Sequence, residues 1–118
     1  MDFAFGRAST AEEIAAVQRL RYAVYVAEMG RYDDVAGAAE GRFAEPEDEH
    51  SWIYFARDGH EVVAATRITW GGHGFSPRQI DQYQLGPFLA EIPASLVAVG
   101  ERNSVLVVPR VSSSVYRS

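Results

Sequence analysis

The sequence predicts a mixed α/β domain of the α+β kind, a largely antiparallel sheet with flanking helices. Three observations carry this expectation. A capped, helix-periodic segment occupies residues 11–28, two strand-like runs joined by Asp58-Gly59 come next, and a long apolar run covers 96–109. A helix followed by a hairpin speaks against an all-helical bundle.

Residues 2–7 alternate loosely and read as a short first strand. Thr10 and Glu13 stand in the relation of a capping box, where hydroxyl and carboxylate each satisfy an orphan amide. Ile14, Val17, Leu20 and Val24 recur at helical spacing, and Gly30 reads as the C-terminal cap. From Arg31 to Glu49 the chain is rich in Asp, Glu, Gly and Ala with weak periodicity, which predicts a loop or a short helix. A connection this long in a compact domain suggests a task such as covering a cleft. The runs Ser51–Arg57 and Glu61–Trp70 form a hairpin, because Gly59 takes a positive φ without steric cost. Gly71–Gly74 ends it, and Pro77, Gly86, Pro87 and Pro93 punctuate one or two short helices. Leu96–Pro109 then reads as a strand interrupted by Gly100-Glu-Arg-Asn103, followed by a serine-rich turn that opens a helix.

At 118 residues the chain fits a single domain, 1–118. The formal charge of −5 argues against nonspecific nucleic-acid or anionic-membrane binding. All 11 basic residues are arginine, which suits bidentate contacts with carboxylate or phosphate. The absence of cysteine removes thiol nucleophiles and disulfide frameworks. With no secretory pattern and no membrane-spanning run, a soluble cytoplasmic protein is expected. His50, His60 and His73 show no metal-ligand spacing, so no metal is expected. Neither a Gly-x-Ser-x-Gly elbow nor a dinucleotide fingerprint is present. Trp52, Tyr54, Phe55, Trp70 and Tyr83 lack a basic groove beside them and read as core and cleft wall.

Glu101, Arg102 and Asn103 form a polar island inside an apolar run. A carboxylate there is paired, open to a cleft, or raised in pKa. Two readings stay open for Glu101, an ion pair with Arg67 or Arg21 and a general base. Arg21 falls near the apolar stripe of the helix, and Arg67 interrupts the second hairpin strand. Either snorkels to the surface, or both join Asp48 and Glu101 in one semi-buried cleft.

In order, "RLRYAVYVAEMG", "DEH", "WIYFARDGHEVVAATRI" and "GERNSVLVVP" resemble the N-terminal half of the GNAT (Gcn5-related N-acyltransferase) fold. Within it, the chain is similar to the acyl-homoserine-lactone autoinducer synthases and N-acyl amino acid synthases. Arg21, Tyr25, Asp48, Arg67 and Glu101 match residues of those families, and Phe88 falls in a segment where they carry an aromatic. The sequence departs from the autoinducer synthases at Arg31-Tyr32 and at Ser104.

The resemblance implies transfer of an acyl group from a pantetheine thioester, acyl-CoA or acyl-carrier protein, to the amine of a small acceptor such as an amino acid. It gives Glu101 the amine proton and makes Arg21, Tyr25, Asp48, Arg67 and Phe88 the substrate cleft. Val105, Leu106, Val107 and Val108 flank the pantetheine, while Arg110, Ser112 and Ser113 face its phosphate, where the family usually has glycines. It also implies that the domain is incomplete after its fourth strand. An open edge of that kind predicts a homodimer or a non-catalytic ligand-binding or dimerisation module.

Overall fold

A computed structural model of the chain describes residues 2–28, 30 and 35–106. Four strands form one antiparallel sheet in chain order: β1 (Phe3–Arg7), β2 (Trp52–Asp58), β3 (Glu61–Trp70) and β4 (Ala98–Val105). Helix α1 (Ala11–Arg21) lies between β1 and β2 in sequence and packs on one face of the sheet. The short helices α2 (Pro77–Gln82) and α3 (Gly86–Leu89) connect β3 to β4.

Local chemistry explains most boundaries. Thr10 Oγ1 accepts from the Glu13 amide at 3.1 Å, and the Glu13 carboxylate accepts from the Thr10 amide at 3.1 Å, closing the expected capping box. The expected helix over 11–28 divides in two. After Arg21 the chain widens into a π-helical segment, Tyr22–Glu28, and the Gly30 amide caps it on Val26 O at 3.0 Å with a φ of +66°. The hairpin turns through Gly59 and His60, with Asp58 opposite Glu61 and Gly59 at φ +61°. The acidic connection holds two 3₁₀ turns among its described residues, Ala38–Glu40 and Pro46–Glu49.

The core lies between α1 and the inner face of the sheet, where Val17, Leu20 and Val24 meet Ala8, Ile53 and Ala65. Burying each of the larger side chains contributes about 1.5–3 kcal/mol. Toward Arg67, Thr69 and Glu101 the same inner face turns polar, although these residues are as deeply buried as the core.

Strand alternation breaks at one place. The β3–β4 register shifts between Ala65 and Arg67, and Arg102 on the partner strand adopts φ +59°. A bulge puts one extra residue on a strand. Here it turns both Glu101 and Arg102 inward, and both are buried while Asn103 is exposed. The left-handed backbone at Arg102 carries strain that a non-glycine residue ordinarily avoids.

On the outer face, Phe5 stands opposite Ala56, Ala56 opposite Ala64, and Ala64 opposite Val105. Two alanines between larger side chains leave an apolar trough of about 360 Å³.

Candidate functional site

The site is a buried ionic network where the 45–49 turn and α2 meet strands β3 and β4. Arg67, at 0% exposure, forms its centre. Its Nη1 donates to Asp48 Oδ1 at 2.8 Å and lies 3.1 Å from Glu45 Oε1, while Nη2 donates to Glu101 Oε1 at 2.6 Å. From the end of α1, Arg21 Nη1 donates to Asp48 Oδ2 and to the Phe43 carbonyl, each at 3.0 Å. Gln18 Nε2 adds a further bond to Asp48 Oδ2 at 3.1 Å. Arg102 grips Glu45 as a fork, with Nε at 2.7 Å and Nη2 at 3.0 Å from its two oxygens.

Helix α2 closes the other side. Ser76 caps it, in a box with Gln79, and the Ser76 hydroxyl donates to Glu47 Oε2 at 2.6 Å. Gln79, fully buried, donates through Nε2 to Thr69 Oγ1 at 2.9 Å and to Glu101 Oε1 at 2.8 Å. Arg78 Nη2 donates to Glu47 Oε2 at 2.9 Å and Glu101 Oε1 at 2.7 Å. The Tyr83 hydroxyl donates to Glu101 Oε2 at 2.6 Å.

These bonds set the acidities. Burial alone raises the Glu101 pKa, but the hydrogen bonds from Arg78, Tyr83, Arg67 and Gln79 outweigh it and hold the carboxyl far below the usual range. Burial likewise opposes ionisation of Asp48, and the charge and hydrogen bonds of Arg21, with Arg67, overcome it to lower the pKa. The Tyr83 phenol is pushed up by burial and by its bond to Glu101. Glu101 is thus paired with Arg67, as one of the two readings expects, and its pKa is lowered rather than raised.

Aromatic rings wall the network. Phe43, 1% exposed, lies 5.7 Å from the Arg21 guanidinium and 5.4 Å from that of Arg102, measured to its ring centroid. Tyr25 packs edge-on against Phe43, faces Arg102 at 5.8 Å, and bonds through its hydroxyl to the Asn103 carbonyl at 3.0 Å.

Of the residues singled out in sequence, Arg21, Asp48, Arg67 and Glu101 meet directly, and Tyr25 borders them. Phe88 stands apart on α3, 56% exposed and outside the hydrogen bonds of this network. Val105 ends β4 and Leu106 packs against the core cluster. Val107, Val108, Arg110, Ser112 and Ser113 lie outside the described residues. Glu45, Glu47, Arg78 and Gln79 join the site with no role expected from sequence, and Tyr83, expected as core or cleft wall, donates to Glu101. The one sequence signal for this group is Ser76-Pro-Arg-Gln79, a capping box with proline at its first helical position.

Among the described residues, no group of three or more potential ligands is arranged to hold a metal, and no helix is long and apolar enough to cross a membrane. No family model, curated protein or solved structure matches the chain.

Proposed function

We propose that the chain is an N-acyltransferase domain of the GNAT type, moving an acyl group from acyl-CoA or an acyl-carrier protein to the amine of a small acceptor such as an amino acid. The observation that carries this reading is the convergence of Arg21, Asp48, Arg67 and Glu101 beside the bulge of β4. Chain order supports it as well, since a first strand, a helix, a hairpin and a further antiparallel strand follow one another as expected for the N-terminal half of that fold.

In this reading the amine nitrogen attacks the thioester carbonyl, the C–S bond breaks, and the thiol leaves with the proton the amine gives up. Glu101 acts as a negative charge that positions Arg67, Arg78 and Tyr83, and the amine's proton reaches the departing thiolate, directly or through water. Backbone groups of β4 around Val105 flank the pantetheine.

The test is to mix the protein with acyl-CoA or acylated carrier protein and each amino acid in turn, following thiol release colorimetrically and product by mass. Absence of both thiol release and thioester binding with either donor discards the proposal.

A second reading, a non-catalytic GNAT-like ligand-binding or dimerisation module, is favoured by the filled hydrogen-bonding capacity of Glu101. Thioester binding without turnover, or a stable homodimer by sedimentation, selects it.

A further inference from the structure

The end of the hairpin away from its turn carries a cleft of about 460 Å³, lined by Glu49, His50, Ser51, Trp52 and His73. That volume lies in the range of small-molecule sites, about 300–1,000 Å³. Its aromatic wall is held from behind. The Trp52 and Trp70 rings lie within 8° of parallel with centroids 6.1 Å apart, and His73 meets them edge-on at 5.9 and 4.9 Å. Trp70 is pinned through Nε1, which donates to the Ser95 carbonyl at 2.8 Å. A Cβ at Gly72 would fall 2.4 Å from the same indole, so glycine lets the ring lie against the turn.

The floor is fixed as well. The Ser51 hydroxyl shares a 2.7 Å hydrogen bond with Thr69 Oγ1, and buried Gln79 donates through Nε2 to the same oxygen at 2.9 Å. By contrast, the side chains of Glu49, His50 and His73 form no hydrogen bond or ion pair with any described residue, and neither does the Trp52 indole N–H. One carboxylate and two imidazoles thus border the aromatic wall with their capacity unused. A neutral imidazole offers an acceptor nitrogen and an ionised carboxylate two acceptor oxygens, a set that suits the N–H donors of a primary ammonium. Such a cation is also attracted to an indole face. An anion would meet the Glu49 carboxylate, and the formal charge of −5 favours cations further.

We propose that this cleft binds the primary ammonium group of a small amine, with Glu49, His50 and His73 accepting its N–H groups and Trp52 as its aromatic wall. The site rests on the cleft and its unpartnered groups and stands whether or not the acyl-transfer reading does.

Both tryptophans of the chain belong to this wall, so their indole N–H signals in a nitrogen-correlated NMR spectrum report on it directly. The probe is butylammonium chloride, with tetramethylammonium chloride and butanol as controls, at equal ionic strength and without thioester. At about pH 8 an imidazole is ordinarily neutral and a primary amine ordinarily protonated. Butylammonium shifts the Trp52 signal saturably, with a Kd of about 1–10 mM for a ligand of this size. Tetramethylammonium, a cation without N–H donors, binds at least about threefold more weakly, and butanol gives no saturable shift. Glu49 is exposed, and Glu49→Gln weakens butylammonium binding by about tenfold while the amide spectrum stays that of the wild type. His50→Ala, the second variant, weakens it by about threefold. Absence of a saturable Trp52 shift overturns the proposal. So do equal affinities for the two ammonium ions, a saturable shift with butanol, or unweakened binding in Glu49→Gln, or in His50→Ala if the first variant does not fold.

Discussion

Replacing Arg67 by methionine, which keeps much of its length but none of its charge, tests whether the ionic network holds the fold. Arg67 is completely buried and touches three carboxylates, Glu45 at 3.1 Å, Asp48 at 2.8 Å and Glu101 at 2.6 Å. Breaking a buried pair by removing one partner costs about 3–5 kcal/mol, since the remaining charge stays desolvated. Against a total stability of about 5–15 kcal/mol for a domain, that loss lowers Tm by about 12–20 °C. The penalty carries a pH signature. Glu101 and Asp48 have folded pKa values below their ordinary 4.5 and 3.8, so their contribution is present above those values and is lost as pH falls through the folded ones. In Arg67→Met both carboxylates lose a counter-charge, and protonating them relieves the variant. The gap between wild type and variant therefore narrows as pH falls below about 4, through the range where the folded carboxylates take up protons. Urea denaturation at about pH 7 and about pH 3, with calorimetry at about pH 7, measures it. A difference under about 1 kcal/mol at neutral pH refutes the reasoning, as does a difference that stays the same in acid.

Two further substitutions test local structure. Thr10→Ala removes the hydroxyl that caps α1 and lowers stability by about 1 kcal/mol in urea denaturation, with the Glu13 half of the box left in place. Gly71→Ala places a Cβ into the Ala94 carbonyl oxygen, a backbone atom that cannot rotate away. The expected loss exceeds about 2 kcal/mol, within the range for overpacked buried sites, and a thermal melt unchanged from wild type contradicts the close approach.

Much of the fold is legible in the sequence because its signals are local. The Thr10–Glu13 box starts α1 and Gly59 turns the hairpin, and each acts within a few residues of itself. The division of the helix after Arg21 is less legible, because the apolar period runs on through Val24 while the backbone changes its bonding. The site follows the same logic. Arg67 and Glu101 are conspicuous as charges interrupting apolar runs, whereas Glu45, Glu47 and Arg78 sit in polar segments that offer no period to interrupt. Their roles depend on how a loop and a six-residue helix close over the sheet. Strict alternation also places Arg102 on the face opposite Glu101. The bulge that reverses this has no distinctive residue, since its left-handed position is an arginine where glycine is the usual choice.

That arginine bears on what the network is for. A left-handed φ at Arg102 disfavours the fold by about 1–2 kcal/mol, and an apolar replacement for a buried ionic cluster is often as stable as the cluster itself. Stability alone therefore gives little reason to build this arrangement. What the bulge secures is geometric: it lets Arg102 fork Glu45 while its neighbour Glu101 receives Arg67, Arg78, Gln79 and Tyr83. The 45–49 turn, α2 and the two central strands are thereby locked to one another through directional bonds that a slipped or loosened packing cannot satisfy. An apolar core tolerates such shifts far better. The strain at Arg102 thus maintains a buried charged network of fixed geometry, in which Arg78 is the most solvent-exposed of the charged side chains described.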